Sequence, residues 1–195
     1  TMQDPGTAAP ADRHSALALH GGPKVRPEPF PPRGNISEAE QAAVLALLDR
    51  SRAAGQMPGY NGDEEETFCR DFAAALGGGF ADAVSSGTAA LYVALKALDL
   101  EPFGEVVVSA VTDPGGMMPI PLLNLIPIVA DTEPDSYNTG PDQVAALLSP
   151  LTRAVVIAHI GGEPAPIDAI VDLAHRHSIP VIEDRAQAHG AQLHG

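Results

Sequence analysis

Two short segments of this sequence carry residue types that can do chemistry together. In Ser85-Ser86-Gly87-Thr88-Ala89-Ala90-Leu91, a glycine and a hydroxyl residue stand where a short strand gives way to a helix. The first amides of a helix have no intrahelical partner, and the helix dipole adds partial positive charge at that end. The Thr88 hydroxyl adds a further donor, so the junction suits a phosphate. A helix start without any ligand accounts for the same seven residues equally well.

The second segment is Val181-Ile182-Glu183-Asp184-Arg185-Ala186-Gln187-Ala188-His189-Gly190-Ala191. It places a carboxylate directly after a buried strand, at the carboxyl edge where open α/β sheets bind ligands. A carboxylate there can pair with a protonated heterocyclic nitrogen and keep it charged, which turns a pyridine ring into an electron sink. Asp184 is the candidate for that role, and Gln187 can reach a ring substituent on the same side. The competing account is an acidic strand end facing water, which suits Glu183 better than Asp184.

Other candidates are weaker. His175 and His177 end a helix two residues apart, so their side chains diverge and do not chelate one ion. His189 and His194 follow the acidic segment, and no metal is expected. Arg26 and Arg33 read as surface residues rather than a diphosphate site, and Asp63-Glu64-Glu65-Glu66 as the solvated first turn of a helix.

The elements that must position these residues follow from punctuation and periodicity. Residues 1–20 read as a flexible leader and 21–36, rich in proline, as an extended arm. Ser37-Glu38-Ala39-Glu40 is a capping signal for a helix to about Arg52, and a second helix covers Glu64–Leu76 before three glycines. A short strand is expected at Ala81–Val84 and a helix from Gly87 to Leu98. Apolar, β-branched runs at Glu105–Ser109, Ile126–Ala130, Ala154–Ala158 and Pro180–Ile182 read as strands covered on both faces. Helices are expected between them at Gly115–Leu125, Pro141–Leu148 and Ile167–His177. Alternating strands and helices predict an α/β fold with a mainly parallel sheet flanked by helices.

Composition narrows the function. The 195 residues carry a formal net charge of -14, which repels phosphate backbones and anionic membranes alike. No nucleic-acid or membrane partner is expected, and no apolar run approaches the roughly 20 residues that span a bilayer. Cys69 is the single cysteine, so an intramolecular disulfide is impossible. A cytoplasmic protein is the plain expectation.

Taken in order, the segments resemble the DegT/DnrJ/EryC1/StrS family of pyridoxal phosphate-dependent sugar and cyclitol aminotransferases. Ser86-Gly87-Thr88-Ala89-Ala90-Leu91 and Glu183-Asp184-x-Ala-Gln-Ala-x-Gly-Ala carry the likeness. Between them Glu105–Val108, Pro127–Asp131, Pro150–Val155 and His159–Pro164 are similar to family segments in the same order. Gly21-Gly22-Pro23 and Tyr60-Asn61-Gly62 fit the family's opening.

The resemblance implies the large domain of the aspartate-aminotransferase type (fold type I), incomplete in this chain, with residues 37–195 as its N-terminal part and the C-terminal part and small domain absent. It implies pyridoxal 5'-phosphate as cofactor, with Gly87 and Thr88 on the phosphate, Asp184 on the pyridinium nitrogen and Gln187 on the phenolic oxygen. It implies a keto sugar or keto cyclitol as substrate, aminated from glutamate or glutamine, and a dimer-like assembly. Asp113 stands where the family commonly has an aromatic that stacks on the ring; a capping Asp ahead of a helix opened by proline fits it as well. The Schiff-base lysine has no counterpart, since Lys24 and Lys96 match neither in context nor in place. A complementary lysine-bearing polypeptide is therefore expected, and this chain alone is expected to be inactive. The alternatives are a fragment, a relic, a cofactor-binding scaffolding subunit, or a dehydratase of the same family.

Overall fold

The computed structural model describes residues 17–32, 34, 36–59 and 61–194. Most of the expected leader, Arg33 and Tyr60 lie outside the described residues. The chain divides into two units, 1–59 and 60–195.

In the first unit, a 3-10 turn at Ala18–His20 is closed by Gly21 at a φ of 90°. Arg26 lies over the Phe30 ring, 3.9 Å from its centroid. Helix α1 (Glu38–Ala54) starts where the capping signal predicts. The Ser37 hydroxyl accepts from the Ala39 amide at 3.2 Å, and Glu40 reaches back to the Ser37 amide at 2.6 Å. Its side chain also bonds the Ser37 hydroxyl. These bonds hold the Glu40 carboxyl below the usual glutamate range, the hydroxyl contributing most. A lowered value in the folded state means that the cap stabilises α1 fully above the usual range and fails as pH falls through the lowered value. Amide exchange at Ser37 and Ala39, corrected for intrinsic rates, should therefore accelerate as pH falls through and below the usual glutamate range. Substitution Glu40→Gln should remove most of that pH response.

The second unit contains the sheet. Helix α2 (Asp63–Ala75) opens with four carboxylates that complement its dipole. Beyond its C-cap Leu76 come Gly77, Gly78 and Gly79, all at positive φ, a conformation that side-chain-bearing residues rarely adopt. Residues 81–84 form no strand, contrary to expectation. A strand exists only through a paired neighbour, and no ladder reaches this segment. Helix α3 (Gly87–Ala97) leads into strand β1 (Glu105–Ser109).

Next come two four-residue helices, α4 (Pro114–Met117) and α5 (Pro119–Leu122), instead of the single helix expected. Pro119 and Pro121 lack the amides that would continue one ladder. Strand β2 (Ile126–Ala130), helix α6 (Pro141–Ala145), strand β3 (Thr152–Ala158), helix α7 (Ile167–Arg176) and strand β4 (Val181–Asp184) complete the unit.

All strand pairs are parallel, in the order β2-β1-β3-β4. Side chains alternate along each strand, so the two central strands feed two cores. Val107, Val155 and Ile157 join Ile170, Leu173 and Ala174 of α7 on one face. Val106, Val108, Ala154 and Val156 join Leu91 and Leu95 of α3 and Ile120 of α5 on the other. The expectation of strands covered on both faces therefore holds for β1 and β3. It does not hold for the outer strands: Ile126 and Val129 of β2 stay exposed, and β4 is only partly buried. Among the described residues no helix is long and apolar enough to cross a membrane.

Candidate functional site

The carboxyl ends of β3 and β4 and the amino end of α3 meet at one side of the sheet. At α3, the Ser86 hydroxyl accepts from the Ala89 amide at 3.1 Å and the Ser86 carbonyl from the Ala90 amide at 3.0 Å. Among the described residues this leaves the amides of Gly87 and Thr88 as the unclaimed donors of the turn. A side chain built on Gly87 would meet nothing within 4 Å, so the backbone there faces open space.

Strand β4 runs two residues further than expected, and Asp184 is its last residue rather than the second beyond it. Its carbonyl accepts from the His159 amide at 3.1 Å, the last rung of the β3–β4 ladder. One carboxylate oxygen, Oδ1, accepts from the Ala186 amide at 3.0 Å. The second oxygen has no partner among the described residues. Gly87 and Asp184 line a single cleft of about 430 Å³, walled by Phe72 and Leu76 of α2, Ile182 and His189. His189 meets the Phe72 ring edge-on at 6.0 Å. The cleft thus carries free amides at one point, a free carboxylate oxygen at another, and mostly apolar walls between them, with Glu183 and Arg185 also on its lining. That donor set fits a flat ring bearing an anionic group and a basic ring nitrogen.

Thr88 and Asp113 lie together around a third residue. Asp113 caps α4, its Oδ1 accepting from the Gly115 amide at 2.8 Å. A Cβ on buried Gly115 would sit 2.4 Å from Thr88 Oγ1 and 3.2 Å from Asp113 Oδ1, so only glycine leaves room for the threonine hydroxyl. Gln187 points elsewhere: its Oε1 accepts from the Gly161 amide at 2.9 Å, and it does not line the cleft. His175 and His177 are exposed at the end of α7, while His194 contacts Asp168 at 3.2 Å.

One pair escaped the sequence reading of chemistry. His159, 4% exposed, bonds Glu183 through Nε2 at 3.0 Å. Glu183 is therefore not simply a strand end facing water. Strand alternation held the clue: if Asp184 faces a ligand, Glu183 must face the opposite side, where it needs a partner of its own.

A model of the DegT/DnrJ/EryC1/StrS aminotransferase family matches residues 35–195. The chain belongs to that family. It is 34% identical over 183 residues to an L-glutamine:2-deoxy-scyllo-inosose aminotransferase of Streptomyces fradiae, covering 93% of this chain and 43% of that protein. An aminotransferase structure from Psychrobacter cryohalolentis superposes with a TM-score of 0.76 at 34% identity, over 84% of this chain and 40% of that one. The structure of 3-amino-5-hydroxybenzoic acid synthase superposes with a TM-score of 0.74 at 31% identity, over 83% and 41% of the two chains. The chain thus spans about two fifths of the length of the relatives it matches. Its fold is part of the aspartate-aminotransferase-type large domain that these family members share.

Proposed function

We propose that this chain is the cofactor-cradling part of a pyridoxal phosphate-dependent aminotransferase that aminates a keto cyclitol or keto sugar. The observation that carries the reading is Gly87 and Asp184 on one cleft, with unclaimed amides and an unclaimed carboxylate oxygen. In this reading the amides of Gly87 and Thr88 and the Thr88 hydroxyl bind the phosphate, helped by the dipole of α3. Asp184 Oδ2 holds the proton of the pyridine nitrogen, while Oδ1 stays on the Ala186 amide. Gln187 serves the phenolic oxygen once it turns from Gly161. Asp113 keeps α4 and Gly115 packed against Thr88. The apolar side chains of Phe72, Leu76 and Ile182 exclude water and strengthen the charged contacts. Pyridoxal phosphate, when bound, supplies the electron sink that labilises a proton beside the substrate nitrogen. The S. fradiae relative's name supports glutamine as amino donor and a keto cyclitol as acceptor.

The lysine that holds the cofactor covalently lies, in this reading, outside these 195 residues. Lys96 lies nine residues along α3 from Gly87, roughly 13 Å at 1.5 Å per residue, and is exposed. Borohydride reduction of the assembled, cofactor-loaded protein followed by peptide mass spectrometry tests this. The pyridoxyl group should appear on a lysine that is neither Lys24 nor Lys96. An adduct on either of those two would overturn the assignment, and a protein that binds no cofactor would favour the relic.

A further inference from the structure

We propose that His159 and Glu183 form a positioning pair that aims the carboxylate of Asp184 into the cleft from the far side of the sheet. The inference rests on the reading of Asp184 as the pyridine partner. Strand β4 has four residues and, among the described residues, a neighbour on one side only. Among the described residues the Asp184 side chain has one partner of its own, the Ala186 amide on Oδ1. Val181 packs into the core on the α7 face and Ile182 into the core on the α3 face. Alternation then puts Glu183 on the α7 face and Asp184 on the α3 face, beside Gly87.

His159 grips both residues. Its amide donates to the Asp184 carbonyl at 3.1 Å. Its buried ring turns to the α7 face, where Nδ1 accepts from the Ala165 amide at 2.9 Å. A nitrogen that accepts a backbone N–H carries no proton, so the ring hydrogen sits on Nε2. That hydrogen donates to Glu183 Oε2 at 3.0 Å. The tautomer is thus set by the fold, and the residue is anchored at two points by backbone groups and at a third by Glu183. The Glu183–Asp184 pair is held at two points, the Asp184 carbonyl by the His159 amide and the Glu183 side chain by the His159 ring. Loss of either anchor loosens the backbone at the end of β4, and the Asp184 carboxylate moves with it. Held this way, the carboxylate keeps its aim without any contact of its own to the histidine. Glu183 is still 41% exposed, so the pair adds little to the core itself. Its position suits orientation rather than bulk stability.

The test uses the assembled protein loaded with pyridoxamine phosphate labelled with 15N in the ring, a probe that needs no covalent lysine. In the wild type the ring nitrogen should show the protonated chemical shift at neutral pH. Glu183→Ala should shift it toward the neutral form and weaken pyridoxamine phosphate binding about tenfold, as loss of a charge-assisted contact does. Glu183→Gln keeps an acceptor for Nε2–H and should restore both values. Wild-type shift and affinity in Glu183→Ala, with both lost in Asp184→Asn, would overturn the pair and leave the reading of Asp184 intact. A protonated ring in Asp184→Asn would remove that reading and this inference with it. Should Glu183→Ala not fold, the 15N shifts of the wild-type His159 ring decide: a proton on Nδ1 instead of Nε2 overturns the proposal.

Discussion

Asp184→Asn should lower turnover of the assembled enzyme by about 10²–10³-fold, the loss typical of one preorganised charged contact in a water-excluded site. The substitution is nearly isosteric. An asparagine oxygen can still accept from the Ala186 amide, as Oδ1 does at 3.0 Å, and the backbone rung to His159 is untouched. What changes is the free oxygen: an amide nitrogen there donates and cannot hold the proton of a ring nitrogen. Thermal stability without cofactor should therefore stay close to wild type while turnover collapses. Steady-state kinetics beside a thermal melt make the comparison. A variant that keeps half the wild-type turnover would show that Asp184 does not serve the ring.

The phosphate end should respond differently. Gly87→Ala combined with Thr88→Val should weaken cofactor binding about tenfold to a hundredfold, equivalent to about 1.5–3 kcal/mol for a contact with a charged group. The fold has space for the new methyl at Gly87, since nothing lies within 4 Å of it. That methyl would project where the phosphate must approach the free amides. Valine at position 88 preserves the volume packed against Gly115 and removes only the hydroxyl. The cofactor-free melting temperature should move little, because neither residue contributes to the buried cores. Equilibrium titration with pyridoxal phosphate measures the loss. Equal affinity in the double variant and the wild type would sink the cradle.

The same contrast between local and distant interactions explains what could be read from the residues in order. Ser37 and Glu40 are three residues apart, and the capping box they form needs nothing beyond the helix they open. Val106-Val107-Val108 and Ala154–Ile157 announce buried parallel strands because alternate residues must satisfy two apolar faces. The ordered series from Gly87 to Asp184 identified the family, and the motif match over residues 35–195 agrees.

Other features depend on contacts between residues far apart. Ala81–Val84 has strand-like composition, yet a strand needs a neighbour, and none of the four paired strands reaches it. The sequence between β1 and β2 reads as a single helix until Pro119 divides it in space. Composition could not say that β2 and β4 would be the outer strands, because strand order is a property of the whole sheet. Likewise, the types of Gly87 and Asp184 were enough to suggest a phosphate and a ring nitrogen. Only the packing of α3 beside β4 brings them onto one cleft, and only the β3–β4 ladder sets His159 against Glu183 behind it. Chemistry is carried by residue type and short spacing, which the chain encodes locally. Distance and aim are set by backbone pairing across dozens of residues, and those exist only once the sheet has formed.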